Sequence, residues 1–177
     1  PARVGAGARV ANRRGGGGAG GDGAVTRSII FPGAWIEEGA TVILLGGPGD
    51  KALAADIAAV SGVPVLDWTG RTTLPELLAL SARLKLLVTN DSGPMHVAAA
   101  HGVPVLAFFG PTTRELGFFP YGEGHRVLET DLACRPCGLH GAKTCPEGHF
   151  LCMRLITVEQ AFQAAQGLLA ARAKAAA

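Results

Sequence analysis

The sequence predicts a doubly wound α/β fold, a parallel sheet with helices packed on its faces. Three observations carry that prediction. From Ser28 onward, short apolar runs rich in Val, Ile, Leu and Phe alternate with segments of helical spacing. The runs are near-continuously apolar, as parallel strands covered on both faces are. Several of them lead through a glycine-, proline- or hydroxyl-rich turn into the next helix, the order of repeated strand–helix units.

The strands are expected at Ser28–Phe31, Thr41–Leu45, Val63–Asp67, Leu84–Thr89 and Val103–Phe109. The segment Lys51–Val60 carries Leu53, Ile57 and Val60 at helical spacing. Thr73-Leu74-Pro75-Glu76 has the form of a capping box, opening a helix that ends near Arg83. Pro94–His101 reads as a short alanine-rich helix stopped by Gly102. Thr157-Val158-Glu159-Gln160 caps a long helix running toward Ala173. Ala58–Leu66 and Ala98–Leu106 are near-copies (AAVSGVPVL and AAAHGVPVL), which is one connection used twice: glycine ends a helix, proline blocks its continuation, and a strand follows.

Residues 1–27 are different. They lack apolar periodicity, hold nine of the 26 glycines and read as a Gly-rich leader in front of a domain spanning 28–177. The whole chain has 177 residues, 16 basic and 14 acidic, a net charge of +2, with 17% of residues charged and 48% hydrophobic. This balance excludes a disordered polyampholyte and lacks the dense basic face that nucleic-acid binding needs. No apolar run reaches the roughly 18 residues of a membrane span. The N-terminal arginines are not followed by the apolar segment of a secretory signal, so a reducing, cytoplasmic setting is expected.

In open parallel sheets, ligands bind beyond the carboxyl ends of the strands. At Thr89-Asn90-Asp91-Ser92-Gly93-Pro94-Met95-His96, an apolar strand runs through a polar turn into a helix. The helix start offers free backbone N–H groups and positive dipole potential to an anion. Gly93 permits close approach of a phosphate, Pro94 suits the first helical turn, and His96 can lean back toward the same point. Asp91 would repel an anion and fits sugar hydroxyls beside it. The structural alternative is that Asp91 or Ser92 caps the helix and His96 packs on the sheet. Three further strand-to-helix turns join this edge: Leu45-Gly46-Gly47-Pro48-Gly49-Asp50, with Asp50 suited to ribose hydroxyls; Gly70-Arg71-Thr72-Thr73-Leu74; and Gly110-Pro111-Thr112-Thr113.

The four cysteines, Cys134-x2-Cys137-x7-Cys145-x6-Cys152, form a separate group. One C-x-x-C pair followed by two spaced cysteines can wrap a tetrahedral zinc ion; four reduced, unliganded thiols are the other reading. A catalytic cysteine is disfavoured, because the group lies away from the strand-end turns in chain order.

The stretch Thr89-Asn90-Asp91-Ser92-Gly93-Pro94-Met95-His96-Val97-Ala98-Ala99-Ala100 resembles the heptosyltransferases, glycosyltransferase family 9. The resemblance continues through Gly102-Val103-Pro104-Val105, Phe109-Gly110-Pro111-Thr112 and Cys134-Arg135-Pro136-Cys137 to Cys152-Met153, and reaches back through Gly70–Leu74 and Leu45–Asp50. It implies a GT-B enzyme of two Rossmann-like domains, of which this chain matches the C-terminal, nucleotide-sugar-binding half. By the same resemblance Asp91, Ser92, Gly93 and His96, with Pro94 opening the helix, hold the sugar and diphosphate. Asp50 then lies near the ribose, and Thr72, Thr73 and Leu74 near the base. The implied donor is an ADP-heptose and the implied acceptor the lipopolysaccharide inner-core precursor, met at the inner face of the inner membrane by peripheral contact. No metal is needed for transfer by these inverting enzymes, and no nucleic acid is involved.

Two departures from the family follow. Its catalytic acid/base aspartate sits in an N-terminal acceptor domain with no counterpart in residues 1–27, so no catalytic residue is assigned here. Phe31-Pro32-Gly33-Ala34 resembles the family's first donor-domain strand and turn, but Trp35-Ile36-Glu37-Glu38-Gly39 then leads straight into the next strand, a truncation near residues 34–36. The alternative functions are a non-catalytic binding module whose cysteines hold a structural zinc ion, or a fragment with no function of its own.

Overall fold

Residues 40–61, 64–142 and 144–175 are described by the computed structural model; the leader, the strand expected at Ser28–Phe31 and the departure near 34–36 lie outside them. The described chain divides into a unit of residues 40–72 and a unit of residues 73–175. Both are built from parallel strands and flanking helices.

In the first unit, β1 (Ile43–Leu44) leads through a 3-10 turn at Pro48–Asp50 into α1 (Lys51–Ser61) and then β2 (Leu66–Asp67). The strands pair in parallel, Ile43 opposite Leu66 and Leu44 opposite Asp67. Backbone bonds from Leu66 N to Val42 O, Trp68 N to Leu44 O and Gly70 N to Gly46 O, at 2.9, 3.0 and 2.9 Å, carry the same pairing past both strand ends. Helix α1 buries Ala54 and Ile57, whereas Val60 in its last turn is exposed.

The second unit runs α2 (Leu74–Ser81), β3 (Leu87–Asn90), α3 (Gly93–Ala100), β4 (Val105–Phe109), a 3-10 turn at Arg114–Leu116, β5 (Arg126–Glu129), α4 (Leu151–Arg154) and α5 (Val158–Ala175). Its sheet has the order β3-β4-β5, all parallel. Central strand β4 is buried at every residue, as its uninterrupted apolar sequence VLAFF requires. Val105, Ala107 and Phe109 join Leu87, Met95, Ala98 and Val103 in the core, with Leu84, Phe118, Phe119 and Val127 packed around them. Helix α5 lies against β4 and β5 and buries Ala161 and Ala165 completely.

The terminal signals act as expected at both capped helices. Glu76 accepts the Thr73 N–H at 2.7 Å and the Thr73 hydroxyl at 2.8 Å. Gln160 accepts the Thr157 N–H at 2.9 Å and returns its own N–H to the Thr157 hydroxyl at 3.2 Å. Gly102 ends α3 at a φ of +66°, a conformation glycine adopts without Cβ conflict. The matching Gly62 of the first near-copy lies outside the described residues. Arg172, near the end of α5, donates to the Leu84 and Lys85 carbonyls at 3.0 and 2.9 Å, tying the helix to the lead-in of β3. Two elements were not anticipated: β5 and the four-residue α4. Among the described residues no helix is long and apolar enough to cross a membrane.

Candidate functional site

The polar turn between β3 and α3 lies at the carboxyl end of its strand, where the sheet pairs Asn90 with Phe108. Asp91 continues that edge, its N–H bonded to Phe108 O at 3.3 Å. This register brings the turn after β4 alongside. Thr112, 2% exposed, donates its hydroxyl to Asp91 Oδ2 at 2.8 Å. Ser92 occupies the N-cap position with extended backbone, but its hydroxyl pairs with Thr89 Oγ1 at 2.9 Å and makes no cap bond.

Neither side chain therefore caps α3, which sets aside the structural alternative for Asp91 and Ser92. A Cβ built on Gly93 meets nothing within 4 Å, so the helix start is open. Pro94 lies in the first turn, and His96, two residues on, is exposed rather than packed on the sheet. A helix start with spare N–H groups, an open glycine and an exposed imidazole can take an anion. The carboxylate beside it can accept hydrogen bonds from hydroxyls.

The remaining candidates are divided between the two units. In the first, Asp50 Oδ2 accepts the Gly47 N–H at 2.8 Å, so this carboxylate orders its own Gly-Gly-Pro-Gly turn. A Cβ on Gly46 would stand 2.8 Å from that same oxygen, which is why the turn needs glycine there. Thr72 is half-buried at the end of this unit. In the second, Thr73 is committed to Glu76, and Leu74 is 65% exposed beside it.

Arg135 was missed by sequence reasoning, where it stood only as the first residue between two cysteines. Its side chain is 5% exposed, and all three guanidinium nitrogens donate hydrogen bonds. It donates to the carbonyls of Gly110 and Thr130, to Thr112 O at 2.7 Å, to Phe109 O at 3.5 Å and to Glu129 Oε2 at 2.9 Å. The planar fork thus gathers the end of β4, the turn that follows it and the end of β5 around one cation.

The cysteine-rich segment is anchored at the same turn. Cys137 donates its N–H to Pro111 O at 2.9 Å, and a Cβ on Gly110 would lie 3.5 Å from Cys152 Sγ. Its distance from the strand ends in chain order is therefore misleading: the segment packs against the carboxyl end of β4. All four cysteines are free thiols. Burial pushes the Cys137 thiol above its ordinary pKa, reinforced by the thiols of Cys134, Cys152 and Cys145. Burial raises Cys152 likewise. Cys145 is the opposite case: the Phe150 N–H, 3.4 Å from its sulfur, leads several backbone donors that hold its thiol below the ordinary value. Among the described residues no group of three or more Cys, His, Asp or Glu side chains is arranged to hold a metal ion.

The family model described as Glycosyltransferase family 9 (heptosyltransferase) matches residues 33–149, about two-thirds of the chain. The chain belongs to glycosyltransferase family 9.

The family 9 match extends to individual relatives and solved structures. The chain is 33% identical over 132 residues to Lipooligosaccharide heptosyltransferase 2 of Campylobacter jejuni, covering 72% of this chain and 40% of that protein. It is 39% identical over 82 residues to Lipopolysaccharide heptosyltransferase 2 of Escherichia coli, covering 44% of this chain and 24% of that one. The crystal structure of the glycosyl transferase family 9 from Veillonella parvula superposes with a TM-score of 0.68 at 31% identity, covering 78% of this chain and 39% of that chain. The structure of E. coli ADP-heptose lps heptosyltransferase II gives 0.62 at 27% identity, covering 77% and 38%. The parallel α/β architecture is therefore that of family 9 enzymes, of GT-B type. The chain spans about two-fifths of the length of the C. jejuni relative and of both solved structures.

Proposed function

We propose that this family 9 chain is the donor-binding part of a heptosyltransferase that takes an ADP-heptose and serves transfer to the lipopolysaccharide inner core. The observation that carries the reading is the turn Asp91–His96. In a chain of this family, its carboxylate is turned to Thr112 in the turn after β4 and its hydroxyl to Thr89 on β3, and the N-terminus of α3 is left open. On this reading the diphosphate meets the start of α3, Gly93 allows its close approach, and His96 contacts it from the first turn. Asp91, held by Thr112, accepts hydrogen bonds from sugar hydroxyls. Asp50 and the Thr72-Thr73-Leu74 turn are assigned to the ribose and the base.

The chemistry these residues supply is stabilisation of the leaving group. As an acceptor hydroxyl attacks the anomeric carbon, negative charge grows on the departing nucleoside diphosphate, and N–H dipoles fixed at the helix start oppose it. The base that deprotonates the acceptor is expected from the family's acceptor domain. The four cysteines are assigned no part in transfer, and contact with the inner membrane is expected through the acceptor lipid.

Calorimetric titration of the chain with ADP, and with UDP and GDP as controls, tests the reading. ADP-selective binding that is lost in Asp91→Ala and in His96→Ala supports it. A folded chain that binds none of the three nucleotides overturns it.

A further inference from the structure

We infer that Arg135 is a positioning residue for the donor site: its guanidinium fixes the turn after β4 so that the Thr112 hydroxyl meets Asp91. The inference rests on the donor-site reading for its effect on ligand, but the positioning itself is carried by geometry within one unit. Thr112 is held from both sides. Its carbonyl accepts from Arg135 at 2.7 Å, and its hydroxyl donates to Asp91 at 2.8 Å. The residues before it are held by the same cation, through the Phe109 and Gly110 carbonyls.

Gly110 and Thr112 lie beyond β4, whose ladder ends at the Phe109–Glu129 pair, so strand pairing does not serve their carbonyls. Left buried without donors they would be costly, and the turn would rearrange to reach water. Glu129 at the end of β5 compensates the charge at 2.9 Å, and Thr130 O takes a further donor. The arrangement needs several donors in one plane, aimed at once along different directions. A guanidinium supplies that and an ammonium does not. The Arg135 side chain is 5% exposed and engaged by the ends of β4 and β5, so it acts through Thr112 and Asp91.

The test compares Arg135→Lys, Thr112→Val and the double variant in the full chain. Lysine keeps a cation beside Glu129 but loses the planar fork. In Arg135→Lys, the three-bond couplings of the Thr112 side chain are expected to change from those of one fixed rotamer to an average. Hydrogen exchange at the Leu87 N–H, bonded to Pro104 O in the core, is expected to stay slow. ADP binding is expected to weaken about tenfold in Arg135→Lys, yet by less than about twofold when Thr112 is already valine, because both changes remove one device. A single fixed Thr112 rotamer in Arg135→Lys overturns the inference, as does full additivity of the two substitutions. Failure of the wild-type chain to bind ADP overturns the donor-site reading instead, and the Thr112 couplings still decide the role of Arg135.

Discussion

Thr112 and Asp91 stand 21 positions apart in the chain and share a 2.8 Å hydrogen bond across the ends of two neighbouring strands. The bond is unequal in its surroundings: the threonine is buried and the aspartate half-exposed. Asp91→Ala leaves a buried hydroxyl without its acceptor and is expected to lower stability by about 1–3 kcal/mol. Thr112→Val leaves a carboxylate that water can still reach, and is expected to cost less. Urea unfolding of both variants checks the order; equal costs would contradict it.

Gly141 and Pro111 set a second expectation. Gly141 has a φ of +73°, and a Cβ there would lie 2.6 Å from Pro111 Cγ. A proline ring cannot rotate away as a long side chain can, so Gly141→Ala is expected to destabilise by about 1–3 kcal/mol. Gly117, with a φ of +78° and nothing within 4 Å of its Cβ position, is the control. Gly117→Ala meets only the left-handed backbone cost, about 1 kcal/mol. Denaturant midpoints for the two alanine variants should separate accordingly.

The thiols should react in a fixed order. Only the thiolate attacks an alkylating reagent, so its lowered pKa favours Cys145. Cys152, buried and raised, should react last, with Cys137 also slow. Timed iodoacetamide labelling near pH 8, read by peptide mass spectrometry, gives the order directly. A zinc ion taken up by all four cysteines would protect them together and abolish the ordering, and a chelator would restore it.

Glu76 gives a pH dependence with a definite sign. The Thr73 N–H, and then its hydroxyl, hold the Glu76 carboxyl below the ordinary glutamate value. Its contribution is thus complete above that value, roughly pH 4.3, and is lost as pH falls through the lower folded value. Glutamine keeps an acceptor at this position but does not titrate. The urea midpoint of wild type should therefore fall further than that of Glu76→Gln on going from about pH 5 to about pH 2.5. Parallel falls would remove the capping carboxylate from the acid sensitivity of this unit.

The α/β class was legible because β4 is buried at every residue and its apolar run Val105–Phe109 has no polar interruption. Strand β5 was not, because its four residues Arg126–Glu129 begin and end with exposed charges and take their strand geometry from pairing with β4. Helix α4, with four residues inside the cysteine-rich segment, is too short to show a period. At the site, the order Asp-Ser-Gly-Pro before a helix announced the turn by itself. Its partner Thr112 was named only as one hydroxyl in another turn, since their meeting depends on the register that sets Asn90 against Phe108. Arg135 entered only as part of the family-like stretch Cys134-Arg135-Pro136-Cys137, with nothing to mark its role. An arginine beside a proline is most often solvated, and only the crowd of strand-end carbonyls makes this one structural.

The two bonds from Arg172 to Leu84 and Lys85 close a loop of some 88 residues. Helix α5 is also the element that covers β4 and β5 with Ala161 and Ala165. A ribosome making this chain finishes β3, β4 and β5 well before it reaches Arg172, so during that interval one face of a parallel sheet lacks its cover. The second unit is thus expected to complete its folding only after α5 has left the exit tunnel, and a nascent chain stalled before residue 158 would present that bare face to chaperones.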